Sequence, residues 1–130
     1  MEMAALAGKD AKVMIGTNQV AQADTWSLDT PATLLEITNF GSAGWKEYIA
    51  GLKEWSGSFE CNFDPADTNG QAALRTAWQN GTTVSLKLYV NATNFYSGNA
   101  LIENMPVSAP VGDKVRVTVN FRGTGALAYS

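Results

Sequence analysis

The segment EWSGSFECNF, residues 54–63, alternates apolar or small residues with polar ones at every position. Because successive side chains of a β-strand point to opposite faces, this period of two predicts a strand with one buried face. Carried through Asp64, the strand would be about 35 Å long at the usual rise per residue. The segment DKVRVTVNFRG, residues 113–123, repeats the pattern with valines and Phe121 on its apolar side. Two long, half-buried strands therefore predict a mainly β protein.

Shorter segments before, between and after these two strands complete the predicted sheets. They are residues 11–17, 25–30, 33–38, 83–90 and 95–105. Each has extended or alternating character, and turn residues separate several of them. Six or seven strands around one core predict two packed antiparallel sheets, arranged as a β-sandwich or barrel.

One segment, at about residues 68–80, predicts an α-helix that flanks the sheets. Leu74, Ala77 and Trp78 recur at helical spacing, so one face of this helix is expected to be apolar. Asn80 and Gly81 then end the helix, since both residues tolerate a left-handed cap. The side chains expected in the common core are Trp26, Trp55, Phe59, Phe63, Leu74, Trp78, Val117 and Phe121.

The length of 130 residues suits a single domain spanning residues 1–130. Residues 1–10 are expected to form a flexible N-terminal arm. Residues 39–53 read as a long loop, punctuated by three glycines. Structureless connections beyond about 12–15 residues are uncommon in compact domains and are usually functional. This loop is therefore the first candidate for a contact surface.

Residue types that carry chemistry are scarce in this sequence. It has no histidine, which is the commonest general base and metal ligand, and its single cysteine, Cys61, lies on a predicted buried face. Asp64 and Asp67 loosely match a calcium loop, but Pro65 and Thr76 would then occupy its first and last ligand positions. Helix capping explains the two aspartates better. We expect no catalytic residues, no metal and no cofactor, and hence no enzyme.

The net charge of −3 argues against tight binding to nucleic acid or to anionic membranes, which need a basic surface. No stretch approaches the roughly 20 apolar residues of a membrane helix. The outer faces of the two long strands nevertheless differ in charge. The acidic set is Glu54, Glu60 and Asp64, and the basic set is Lys114, Arg116 and Arg122. Either these charges are simply solvated, or complementary faces meet within one subunit or between neighbours.

The segment GWKEYIAGLKEWSGSFECNFDPADTNGQAALRTAWQNGTTVSLKLY resembles the middle of bacteriophage major tail tube proteins. In that family a glycine-containing loop leads into a strand with a W-S-x-x-x pattern. A D-x-x-G-Q-x-x-L helix and a V-x-L-x-L/Y strand follow. The later segment SGNALIENMPVSAPVGDKVRVTVNFRGTG is similar to the family's final section. Together the motifs cover roughly residues 9–127.

The resemblance implies a β-barrel or sandwich of two sheets with one helix, shared with the tube protein of type VI secretion. Such proteins form hexameric rings that stack into a hollow tube, and DNA passes through the lumen without specific binding. The implied partners are other copies of the chain and the tape-measure, baseplate or tail-tip, and terminator proteins; a sheath is left open. The implied location is the virion, after assembly in the host bacterial cytoplasm.

The resemblance also implies roles for particular residues. Trp45, Tyr48, Ile49 and Leu52 would make subunit or ring contacts from the long loop. Glu54, Ser56, Ser58 and Glu60, on the outer face of the first long strand, would line the lumen. The alternative is a monomeric β-sandwich binding module that displays Trp45 and Tyr48 to a carbohydrate or peptide. Rings or rods of the purified chain would distinguish the tube from the module.

Overall fold

A computed structural model of the chain describes residues 11–130, so the predicted N-terminal arm at residues 1–10 lies outside the described residues. In chain order the elements are β1 (Lys12–Ile15), β2 (Asn18–Gln19), β3 (Ala23–Asp29), β4 (Ala32–Glu36), β5 (Tyr48–Lys53), β6 (Ser56–Asn62), α1 (Gln71–Asn80), β7 (Val84–Tyr89), β8 (Phe95–Asn104), β9 (Val107–Ser108) and β10 (Arg116–Tyr129). A short 3₁₀ turn, Phe40–Ser42, lies between β4 and β5. Over this part of the chain, no helix has the length and apolar character that crossing a membrane requires.

Eight strands form one antiparallel sheet in the order β2-β1-β7-β8-β10-β6-β3, with β9 paired to β10 beside β8. The sheet curls into a half-barrel. The indole Nε1 of Trp26, on edge strand β3, donates a 3.0 Å hydrogen bond to the Tyr89 carbonyl on β7. β4 and β5 pair with each other in a separate two-stranded sheet. The predicted mainly β fold with two antiparallel sheets and a flanking helix is confirmed.

The two sheets are joined in one continuous ribbon. Asp29 pairs with Ser56 at the end of the large sheet, and Ala32 pairs with Lys53 at the start of the small one, in the same register. Between them the Glu54 N–H donates a 3.1 Å hydrogen bond to the Pro31 carbonyl. β3 and β6 are therefore the root of the ribbon, and residues 32–53 are its arm.

This arrangement corrects two expectations from the sequence. The segment 39–53 is not a loop throughout, because Tyr48–Lys53 is a strand of the arm. The strand expected at 54–64 is shorter, since β6 has seven residues, roughly 23 Å. The longest strand is instead β10, which has fourteen residues and continues past Gly123 to Tyr129.

The core lies on the concave side of the large sheet, beneath α1. Trp55, Phe59, Leu74, Val117 and Phe121 are buried there, while Trp26 and Phe63 are half-buried against the same cluster. The prediction that Trp78 is a core residue is wrong, because its side chain is 50% exposed. Trp78 lies near the end of α1, and its indole Nε1 reaches the Glu103 carbonyl at 3.1 Å across the sheet margin.

The start of α1 is fixed by polar contacts with the root. Asp67 accepts hydrogen bonds from the N–H groups of Gln71 and Ala21, at 3.0 and 2.9 Å. The buried amide of Gln71 in turn bonds the Asp64 N–H and the carbonyls of Ala21 and Asn62. Asp67 therefore has the capping role that the sequence indicates, and it also joins the helix to the chain before β3.

Trp55 packs against glycines of β8 and β10. The side chain is 4% exposed, and its Nε1 donates a 3.1 Å hydrogen bond to the Gly125 carbonyl. A Cβ atom at Gly123 would stand 1.9 Å from the indole Cε2, and one at Gly98 would stand 2.6 Å from Cζ2. Both positions therefore require glycine, which lets the indole lie directly on the backbone.

Candidate assembly surfaces

The arm is the most exposed apolar part of the described chain. Its side chains include Leu34, Leu35, Ile37, Phe40, Trp45, Tyr48, Ile49 and Leu52, which are between 43% and 108% exposed. The four residues that the sequence assigned to subunit contacts, Trp45, Tyr48, Ile49 and Leu52, all lie here. Exposed apolar surface of this extent is typical of interaction sites, so the arm is the first candidate for one.

Apolar side chains occupy both faces of the arm. Leu35 pairs with Ile49 on one face, whereas Tyr48 stands opposite Glu36 on the other. Nothing in residues 11–130 covers either face, since all the residues of β4 and nearly all of β5 are exposed. An isolated two-stranded hairpin is only marginally stable in water. The arm therefore needs contacts from beyond residues 11–130.

The tip of the arm, residues 37–47, is held in one conformation by local hydrogen bonds. The Asn39 carboxamide oxygen accepts from the Gly41 N–H at 2.8 Å, and the Ser42 hydroxyl accepts from the Asn39 N–H at 3.1 Å. The Glu47 N–H donates to the Thr38 hydroxyl at 3.0 Å. Phe40 and Trp45 are thus presented by an ordered turn, which reduces the conformational entropy lost when a partner binds.

The outward face of the large sheet is mainly polar from β3 to β8. A polar row crosses four strands and consists of Ser27, Ser58, Asn120 and Asn104, each opposite the next in register. The Asn120 amide donates to the Asn104 side-chain oxygen at 2.7 Å, and the two serine hydroxyls are 3.4 Å apart. The lumen candidates Ser56, Ser58 and Glu60 lie on this face, half-buried, while Glu54 is exposed where the root meets the arm.

An ion pair on this face joins two strands that are not neighbours, β10 and β3, across β6. β6 and β10 are adjacent, so Glu60 of the acidic set shares one face with Arg116 and Arg122 of the basic set. Arg116 forms two hydrogen bonds with Asp24, and its Nη1 also donates to the Asn62 side-chain oxygen at 2.8 Å. The hydrogen bond from Arg116 holds the pKa of the Asp24 carboxyl below its ordinary value of 3.8. The partner of Arg116 is thus Asp24, which the sequence pattern did not single out.

A second apolar surface lies between α1 and β9. This groove encloses about 180 Å³ and is lined by Phe63, Arg75, Trp78, Met105, Val107 and Val117. Trp78 and Val107 are each about half exposed, at 50% and 55%. Sequence reasoning missed the groove because helical spacing placed Trp78 inside.

Cys61 takes no part in these surfaces. Its side chain is fully buried on the concave side of β6, and burial raises the pKa of the thiol to about 12. The thiol is therefore neutral at physiological pH and packs as a small apolar group.

Comparison with protein families gives one match over nearly the whole chain. The family described as "Phage tail tube protein" matches residues 5–129. No curated protein matches the chain.

Solved structures share the fold at low sequence identity. The tail of an empty gene transfer agent particle with C6 symmetry is 18% identical, with a TM-score of 0.85 over 97% of this chain and 99% of the other. The SPP1 tail tube is 18% identical, with a TM-score of 0.77 over 97% of this chain and 79% of the other. A type VI secretion system effector from Yersinia pestis is 10% identical, with a TM-score of 0.56 over 93% and 97%.

Proposed function

Because the chain belongs to the phage tail tube protein family, we propose that six copies of it form a ring and that the rings stack into the hollow tube of a phage tail or phage-like particle. The observation that carries this proposal is the arm, which is apolar on both faces and uncovered by the rest of residues 11–130. Interfaces between copies would cover it. The C6 symmetry of the gene transfer agent tail supports the number six.

The outward face of the large sheet suits the lining of the tube. Its polar row carries hydroxyl and amide groups, and its two arginines each stand within 4 Å of a carboxylate, Arg116 with Asp24 and Arg122 with Glu103. On strands β3, β6, β10 and β8, phosphate groups of DNA would therefore meet no cluster of unpaired cations. We assign Glu54, Ser56, Ser58 and Glu60 to the lumen, and DNA would slide past them without specific binding.

The role is structural, with no reaction to perform. In this role the chain works in the virion, after assembly in the bacterial cytoplasm, and its partners are other copies of itself. Its other partners are the tape-measure protein inside the tube and the baseplate and terminator proteins at the two ends. These partners meet surfaces that the stacking of identical rings leaves free at the two ends and in the lumen.

The proposal is tested with the purified chain, by negative-stain electron microscopy and analytical ultracentrifugation. Wild-type protein should form rings or tubes. The double variant Trp45→Ala, Tyr48→Ala should remain a folded monomer, because both side chains are exposed in the subunit and contribute only to contacts between copies.

Thr33→Ala, an exposed polar change on the same arm, is the matched control and should assemble as wild type does. Strictly monomeric wild-type protein that binds a carbohydrate or peptide through Trp45 would overturn the tube and favour the binding module.

A further inference from the structure

The tip of the arm and the groove between α1 and β9 lie at opposite ends of the same strands. The arm begins next to Ser56, at one end of β6. Phe63 follows the other end of β6, and Val107 pairs with Val117 beside that end. The root strands thus separate the base of the arm from the groove by roughly 23 Å. A subunit cannot cover its own groove with its own arm tip in this geometry.

The groove has the size and the chemistry of a socket for a single side chain. Its volume of about 180 Å³ is below the roughly 300–1,000 Å³ that small-molecule sites occupy. Its walls are mainly apolar, and Arg75 supplies the charge at its margin. The Trp78 indole is fixed by its hydrogen bond to the Glu103 carbonyl, so this wall is preformed.

The arm tip offers a matching side chain. Phe40 is fully exposed at 108%, and the hydrogen-bonded turn around Asn39 holds its backbone. The tip also carries one charge of each sign, Lys46 and Glu47. Asp64, exposed in part beside the groove, and Arg75 provide the opposite charges there.

We propose that the groove between α1 and β9 receives the arm tip of a second copy in the next ring, with Phe40 as the anchor. This rests on the proposed function, and it names the surface that accepts the arm. Because tip and groove lie at opposite ends of the subunit, each docked copy presents a new tip and a new groove, and the contact repeats without end. Six such contacts act together between two rings, so each one can be weak.

Phe40→Glu and Val107→Glu test the two halves of the contact, and Val111→Glu is the matched control. Val111 is fully exposed in the turn that follows β9 and does not line the groove. All three positions are exposed, so thermal melting should show folded subunits in each case. Phe40→Glu and Val107→Glu should each form single rings that do not stack, whereas Val111→Glu should form tubes of wild-type length.

Mixing separates this contact from a general loss of assembly. Rings of Phe40→Glu retain the groove, and rings of Val107→Glu retain the tip, so an equimolar mixture should give pairs of rings and nothing longer. A second measurement uses the double variant Phe40→Cys, Val107→Cys, which should give a ladder of disulfide-linked chains on oxidation.

Three outcomes count against the inference. Full-length tubes from Phe40→Glu and from Val107→Glu, or a cysteine variant that assembles without cross-linking, would overturn the docking while leaving the proposed function intact. Wild-type protein that forms no rings at all would overturn the proposed function, and this inference with it.

Discussion

The root and the arm are consecutive parts of one antiparallel ribbon, yet their side chains have opposite environments. In the root, β6 alternates buried Phe59 and Cys61 with half-buried polar residues, and the large sheet continues beyond it through β10. In the arm, Leu35 and Ile49 form an apolar cross-strand pair, but each side chain is about half exposed. Apolar content does not separate the two regions. The difference is that, within residues 11–130, the root has neighbouring strands and the arm does not.

This contrast shows how one ribbon can serve both folding and assembly. The root contributes to the free energy of unfolding, because its apolar side chains leave water when the subunit folds. Under the proposed function the apolar side chains of the arm leave water only when rings form. Substitutions in the root should therefore act on subunit stability, and substitutions in the arm should act on assembly.

The largest expected effect compares two tryptophans, Trp55 next to the root and Trp45 in the arm. Trp55→Ala should lower the free energy of unfolding by about 3–5 kcal/mol, since it empties a buried site against β8 and β10. Trp45→Ala should change it by less than about 0.5 kcal/mol, as exposed substitutions usually do. Urea denaturation of unassembled subunits measures both values. Similar losses in the free energy of unfolding for the two variants would contradict the proposed contrast between root and arm.

The next effect compares two glycines. Gly123→Ala should destabilise the subunit by about 1–3 kcal/mol, because the new methyl group would overlap the Trp55 indole. Gly51→Ala in the arm should have a smaller effect, since its closest contact would be 3.1 Å from the Thr33 carbonyl oxygen. Thermal unfolding of the two variants gives the ranking, and an equal or larger loss for Gly51→Ala would contradict it.

Removing the arm should change subunit stability by less than about 1 kcal/mol. Ala32 pairs with Lys53, so replacing residues 33–52 with Asn-Gly leaves a two-residue hairpin in register. The shortened chain should unfold at nearly the wild-type urea concentration and should form no tubes. An unfolded or aggregated product would show that the arm also stabilises the root, and that the two regions do not fold independently.

The smallest effect concerns the ion pair at the edge of the root. Asp24→Asn removes the negative charge and one of the two oxygens that accept from Arg116, and should slightly lower the melting temperature at neutral pH. Because folding lowers the pKa of Asp24, the stability from the pair is present above the ordinary value of 3.8 and is lost as the pH falls through the lowered pKa. The melting curves of variant and wild type should converge in acid. A difference that persists there would rule out the pair as its cause.

Period-two alternation was sufficient to predict most of the strands, because a strand with one buried and one polar face has alternating apolar and polar residues. The same reasoning failed for β5, where Tyr48, Ile49 and Leu52 place apolar groups on both faces and Gly51 suggests a loop. It also ended the last strand at Gly123, although that glycine continues β10 by making room for Trp55. In both cases the residue type is determined by a contact outside its own strand, so the local alternation of the sequence does not indicate it.

The candidate surfaces were predictable only in part. The apolar residues at 45–52 stood out because a long segment carried them, but Leu34, Leu35 and Phe40 belong to the same surface. The segment TLLEIT, with apolar residues on both of its faces, was the signal that could have included two of them. The groove depends on the end of α1 lying beside β9, which no local pattern encodes.

The junction at Pro31 has a mechanical consequence for the proposed tube. There the root and the arm are joined by a single backbone hydrogen bond between Glu54 and Pro31, and proline offers no N–H for another. Such a joint is more compliant than a strand paired on both sides. In the proposed tube, six such joints would link each ring to the next, so a slight tilt of each arm would let the tube bend.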